Sequence, residues 1–325
     1  MSDHNSQSAV ARLLYFFSRR SLSASRLFAR FLAALINILH LTRTSKTIRL
    51  NLQIAFPELS AKERSRITRA AIKNEVMSYM EFFHIWGSDT TENIKSIHQI
   101  HHAELLHQAL ADKKGVVLIV PHFGTWEIMN AYIAQFTSMT IMYKPVKDES
   151  ADRFVREARS RENAHLVPTD ESGVRQIFKA LKQGGTTVIL PDHTPHVGGE
   201  YIPYFGVPLA TSNLSAKLIQ KTKANVLFLY AKRNKTQGFD MFVEPIDDAI
   251  YQSDANQGTQ IIFHALECLI KKHPEHYHWS YKRFKAHQDL GNIYDISQDE
   301  ALEKIEKLRE QVKVDTNLNT SSSYD

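Results

Sequence analysis

The chain has 325 residues, 43% of them apolar, and no Pro/Gly/Ser-rich stretch divides its middle, so one sizeable core is expected. Its lone cysteine, Cys268, excludes an internal disulfide. The net charge of +5 is uneven: residues 1–57 hold eight Arg or Lys and only Asp3 as an acid, while residues 58–325 hold 32 cations against 34 acids, which argues against a nucleic-acid partner.

Met1 to Ser8 is polar and expected to be disordered. Leu13 to Phe17 then precede Arg19 and Arg20, and a second apolar run from Leu27 to Leu39 is broken by Arg30 and Asn37. That run is short of the roughly 20 residues of a spanning helix, and no small-residue cleavage site follows it. Apolar helix flanked by cations suits an anionic membrane surface. Residues 1–57 are therefore read as a basic, membrane-anchoring leader, lying in the interface or inserted as one short helix.

Residues 58–298 are read as the globular domain. Pro57 and the capping box Ser60-x-x-Glu63 predict a helix that begins near Ala61 and runs through Ile67, Ala71 and Met80 to Gly87. Its aromatic residues Tyr79, Phe82, Phe83 and Trp86 are expected in the core, or in the wall of an acyl pocket. His98, His101, His102 and His107 are read as a solvated helix face, because no cysteine or carboxylate completes a metal-binding spacing.

Val116 to Val120 is a continuous apolar run read as a short buried strand, and Pro121 to Gly124 ends it. His122 thus falls at the C-terminal edge of a strand, where open α/β sheets bind ligands. Glu127 follows after the turn. A carboxylate returning to the imidazole would hold one tautomer and leave the other nitrogen to accept a proton, which is half of a hydrolase triad without its serine. No Gly-x-Ser-x-Gly elbow and no His-Glu-x-x-His motif occurs. The pattern suits an acceptor that brings its own hydroxyl to an activated acyl group.

Thr140 to Lys144 reads as a second strand whose end brings Lys144 to the same edge. Residues 151–163 and 172–183 read as helices. Thr186 to Leu190 is a third strand that delivers Pro191, Asp192 and His193 to the edge holding His122, with the roles of His193 and His196 left open. Thr211 to Asn213 cap a helix running through Lys223; residues 226–230 and 239–243 are strands joined by a polar turn. Ile261 to Ile270 is an apolar helix expected to bury Cys268 as a small hydrophobe. Trp279 to Lys285 interleaves Lys282, Arg283 and Lys285 with aromatic residues, a pattern suited to phosphate groups or an acidic carrier protein. Residues 299–325 are read as a charged helix, 299–311, with a disordered tail.

His122-Phe123-Gly124-Thr125-Trp126-Glu127 resembles the His-x4-Glu signature of glycerolipid and lysophospholipid acyltransferases, in the form used by the late lipid A acyltransferases of Gram-negative bacteria. Tyr143-Lys144-Pro145, Arg159-Ser160-Arg161, Leu181 to Gly185, Pro191-Asp192, Tyr204 to Pro208 and Trp279 to Lys285 follow in that family's order. The resemblance implies an α/β fold, a mostly parallel or mixed central sheet flanked by helices, with a membrane-associated helix at its N-terminus. It implies transfer of a fatty acyl chain from acyl carrier protein to a hydroxyl of a phosphorylated lipid A precursor, at the cytoplasmic face of the inner membrane and without a metal or other cofactor. His122 would be the general base and Glu127 its orienting partner. Arg159, Asp192 and Lys144 would bind or position substrate, and Tyr201 to Pro208 would border the acceptor. A glycerolipid or phosphatidylinositol-mannoside acyltransferase would use the same dyad; a non-catalytic lipid-binding membrane module is the remaining alternative.

Overall fold

The computed structural model describes residues 9–39, 43–195, 198–234 and 237–321. Met1 to Ser8, His196 and the last four residues of the tail lie outside them. Among the described residues there are nine strands: β1 (Ile97–His101), β2 (Val116–Ile119), β3 (Met139–Met142), β4 (Ala164–Val167), β5 (Thr186–Ile189), β6 (Glu200–Tyr204), β7 (Val207–Thr211), β8 (Asn225–Arg233) and β9 (Phe239–Pro245). The helices are α1 (Ala9–Ser18), α2 (Leu22–Leu39), α3 (Arg43–Ala55), α4 (Ala61–Gly87), α5 (Thr90–Lys95), α6 (Ala103–Ala111), α7 (Ile128–Ile133), α8 (Glu149–Arg161), α9 (Glu171–Lys182), α10 (Leu214–Thr222), α11 (Ala255–Lys272) and α12 (Gln298–Ser321).

Seven strands form one mixed sheet in the order β1-β9-β8-β2-β5-β3-β4. The five from β8 to β4 are parallel, and β9 runs antiparallel to β8 with β1 parallel to β9. β2 sits at the centre because it has apolar side chains for both faces. Val117 and Ile119 pack into one core cluster with Leu52, Phe228 and Phe263; Val116, Leu118 and Val120 pack into the other with Ile128, Met139 and Leu229. A strand covered on both sides reads as an unbroken apolar run rather than an alternating one.

α4 starts and stops where its sequence signals place it. Ser60 accepts from the backbone of Glu63 while the Glu63 carboxylate returns to the Ser60 N–H, so two orphan donors of the first turn are satisfied, and such a cap contributes about 1 kcal/mol. α2 lies along α4, with Ser25, Ala29 and Ala33 buried. α3 contributes Ile48, Leu52 and Ile54 to the main core, so the leader's last helix is part of the packed body.

Several expectations fall to the structure. The histidine-rich stretch is not one helix face: Ile97–His101 is an edge strand pairing with β9, and α6 begins only after His102, which adopts a left-handed conformation. Tyr201 to Pro208, for which the sequence predicts no secondary structure, folds into the antiparallel hairpin β6–β7, turned by Phe205 and Gly206, both at positive φ, which does not bear on its expected place beside the acceptor. Cys268 is exposed, because α11 turns Ile262, Phe263, Leu266, Leu269 and Ile270 inward and leaves position 268 off that face. Of the basic-aromatic block, Trp279, Arg283 and Phe284 are buried, and only Lys285 is fully at the surface with Lys282 half-buried. The Arg283 guanidinium is spent on the Ala210 carbonyl (2.9 Å) and the Thr211 hydroxyl (2.5 Å). α12 continues past residue 311 to Ser321.

Candidate active site

The geometry of the site follows from strand register. β2 and β5 are parallel neighbours with Ile119 opposite Ile189. Three residues further on, past Val120-Pro121 and Leu190-Pro191, His122 and Asp192 leave the sheet side by side. The Asp192 carboxylate takes the His122 ring at Nδ1 (2.8 Å) through Oδ1, and its Oδ2 accepts from the His122 backbone N–H (3.0 Å) and from the Tyr277 hydroxyl (3.0 Å). Burial alone would raise the Asp192 carboxyl, but the charge and hydrogen bonds of His122 outweigh it and hold it well below the usual carboxylate range. Burial, followed by the Asp192 charge, keeps Tyr277 a protonated phenol and hence a donor. With a carboxylate on Nδ1, the proton of a neutral imidazole belongs there and Nε2 is the nitrogen left for a substrate.

The loop after His122 is tied down. Gly124 sits at φ +57°, donates to the His276 carbonyl (2.8 Å), and runs so close to β8 that a Cβ there would lie 2.0 Å from the Ala231 carbonyl oxygen. Thr125, fully buried, donates its hydroxyl to Glu81 of α4 (2.7 Å). His278 donates its backbone N–H to the His122 carbonyl (3.1 Å), and its ring Nε2 meets the Gly124 carbonyl (3.1 Å). The His193 ring stacks flat on His122 at 3.7 Å and on Tyr281 at 4.0 Å.

Glu127 does not take the place expected for it on the imidazole. It stands at the N-terminus of α7, and its carboxylate turns toward α4 and α8: Oε1 accepts from Arg159 (2.6 Å), and Oε2 accepts from the Trp86 indole (3.1 Å) and the Asn130 amide (3.3 Å). Burial disfavours the Arg159 cation, but the Glu127 charge more than offsets that, and the guanidinium also lies over the Tyr143 ring at 5.3 Å. The Arg159 Nε is a buried donor with no partner in the structure. His122, Glu127, Arg159 and Lys144 nevertheless line one cavity of about 340 Å³, with Asp192 directly behind His122. Trp126, Met129, Ile133, Ile141, Val188 and Ile189 give that cavity an apolar wall. A larger, open hollow on the outer face of α8, around Pro145, Val146, Arg153 and Arg156, holds none of these five residues.

Sequence reasoning found the cavity's titratable residues but assigned the wrong carboxylate to the imidazole. A signal for the right one was present: two apolar runs, each followed by proline and then a polar residue, Val120-Pro121-His122 and Leu190-Pro191-Asp192, which match once the strands are placed in parallel. Trp86 was expected only as core or pocket wall, and nothing comparable announces Tyr277 or Asn130.

A buried carboxylate behind a histidine, at the C-terminal edge of parallel strands and over an apolar cavity, is an arrangement suited to general-base group transfer in an α/β enzyme. Comparison with known sequences narrows that class. The chain belongs to the family described as bacterial lipid A biosynthesis acyltransferase, whose profile matches residues 8–286, and it is an O-acyltransferase of that type. It is similar to the lipid A biosynthesis palmitoleoyltransferase of Escherichia coli (strain K12), 25% identical over 249 residues, 76% of this chain and 80% of that one. The lipid A biosynthesis lauroyltransferase of the same organism is 24% identical over 248 residues, covering 75% and 80%. A lipid A biosynthesis acyltransferase of Haemophilus influenzae is 27% identical over 265 residues, covering 78% and 82%.

Proposed function

We propose that this protein moves a fatty acyl chain from an acyl carrier protein thioester to a hydroxyl of a phosphorylated lipid A precursor, at the cytoplasmic face of the inner membrane. The observation that carries the reading is the Asp192-held His122 at the mouth of an apolar cavity. His122 Nε2 accepts the proton of the acceptor hydroxyl as its oxygen attacks the thioester carbonyl. The tetrahedral intermediate then collapses to the new ester, and the departing thiolate takes a proton back from the imidazolium. Asp192 holds the tautomer and offsets the positive charge on the ring while it lasts. The apolar wall accommodates the acyl chain. No cofactor enters these steps; the thioester is already activated.

Glu127 takes a different part from the one expected of it. By holding Arg159 in the cavity wall it aims a guanidinium at the anionic portion of the acceptor, with Lys144 as a second, more exposed cation. The test is transfer in detergent from acyl carrier protein thioester, with a phosphorylated glucosamine disaccharide lipid competing against a lysophosphoglyceride and product mass read by mass spectrometry. Preferential acylation of the disaccharide lipid is expected; preference for the phosphoglyceride overturns the acceptor assignment.

A further inference from the structure

We infer that α1 and α2 form a docking face that lies flat on an anionic bilayer, and that α2 does not cross it. The inference rests on the membrane reading above and specifies its geometry. α2 is the one helix among the described residues long and apolar enough to be taken for a span. Its two faces tell against that. Leu27, Phe31 and Ile38 are 69%, 62% and 73% exposed, and with Leu13 and Phe16 of α1 they belong to a patch that holds eight of the twelve exposed large hydrophobics among the described residues. The rings of Phe17 and Phe28, 5.1 Å apart, join the two helices. A concentrated apolar patch of this kind marks an interaction surface.

The other face of α2 is already committed to protein. Ser25, Ala29 and Ala33 are buried, with Ala29 packed against Met77 and Met80 of α4. Arg26 is ion-paired to Glu81 (2.6 Å) and donates to the Gly238 carbonyl (2.8 Å). Glu81 is itself fully buried and also carries Arg233 (2.6 Å) and Thr125 (2.7 Å). A spanning α2 would have to tear Arg26 from this cluster and take Arg26 and Arg30 into hydrocarbon. It is also short: 18 residues make a helix of about 27 Å against a core of about 30 Å.

The occupant follows from charge. Residues 9–57 contain no Asp or Glu, and Arg12, Arg19 and Arg20 surround a hollow beside Phe16 at the rim of the patch. Apolar face below and guanidinium groups at its margin fit lipid headgroup phosphates, not a neutral surface and not an acidic partner lacking an apolar counterpart.

The experiment uses the full chain, with Cys268→Ser as background, carrying either Ser21→Cys or Thr44→Cys, which flank α2. Each is bound to phosphatidylethanolamine/phosphatidylglycerol vesicles and treated with a membrane-impermeant maleimide before and after detergent lysis. Both sites should label fully from outside, with no gain on lysis; protection of either one until lysis overturns the in-plane assignment. In flotation, the Leu27→Glu/Phe31→Glu variant should lose about tenfold or more in vesicle partitioning while transfer in detergent stays at the parent level. The parent should favour phosphatidylglycerol vesicles over phosphatidylcholine ones. Unchanged partitioning of the variant, or indifference of the parent to lipid charge, overturns the docking face. A parent inactive in detergent would sink the acyl-transfer reading instead and leaves the labelling outcome to decide this one.

Discussion

His122 and Glu127 are five residues apart in one motif, yet they are held by different parts of the fold. His122 stands at the end of β2 and is gripped by a carboxylate from the end of β5, 70 residues away in sequence. Glu127 stands at the start of α7 and is gripped by Arg159 of α8 and Trp86 of α4. The first attachment is made by sheet register, which admits no drift, because a one-residue slip would turn every side chain of a strand to the opposite face. The second is made between helices, where an ion pair selects the geometry. Short-range spacing fixes which residues reach the site; long-range pairing fixes which of them meet.

The two attachments part most sharply at His122. His122→Ala should lower acyl transfer by about 10²–10⁴-fold with thermal unfolding unchanged, measured in detergent with saturating donor and acceptor. Transfer at the parent rate would remove the base from the mechanism. Asp192→Asn should come next, about 10²-fold or more in kcat, because an amide in that place permits the wrong tautomer and leaves the imidazolium without its counter-charge. If Glu127 acts through Arg159 rather than through the imidazole, Glu127→Gln and Arg159→Lys should resemble each other. Each should raise KM for the phosphorylated acceptor by about tenfold, with kcat less affected, as for loss of a hydrogen bond between charged groups. A Glu127→Gln enzyme that instead copies Asp192→Asn in kcat would return Glu127 to the base.

The smallest effect concerns pH. Burial pushes His276 and His278 down to about 3, so both are neutral in the folded protein near neutral pH. Unfolded histidine titrates near 6.5, so between about 6.5 and 3 the unfolded chain binds more protons, and stability falls as pH falls through that window. The buried Glu75, raised to about 7 chiefly by burial, acts in the opposite sense between about 4.5 and 7. Replacing His278 with Gln should flatten the acid limb of a stability–pH curve by close to one proton, measured by denaturant unfolding at a series of pH values. An unaltered slope would mean that His278 does not stay neutral.

Much of this was legible in the residues because the signals are local. The Ser60 capping box placed α4 to the residue, and the apolar runs ending in proline located β2 and β5 to within a residue or two. His122, Glu127 and Lys144 were found because each closes or flanks such an element, whereas Arg159, one of several arginines on its helix, came only with the family resemblance. What failed was whatever depends on which side of an element faces inward. Arg283 looked like a surface cation and is a buried one, its charge stacked over Tyr204 and Phe263, because the chain there folds into the core below β7. Cys268 failed in the reverse direction, on the outer side of an otherwise apolar helix. β1 and β4, at the two sheet edges, have too few apolar residues to be read as strands alone and form by pairing with β9 and β3.

Asp192 holds both the main chain and the ring of His122. The imidazole therefore cannot swing without carrying the tips of two neighbouring strands, and the reactive nitrogen behaves as a fixed point in the molecular frame. Met129 and Ile133, which also line the cavity, ride by contrast on α7, a helix only six residues long. If the cavity takes the acyl chain as proposed, substitutions at Met129 and Ile133 should change chain-length preference while leaving the His122–Asp192 contact in place.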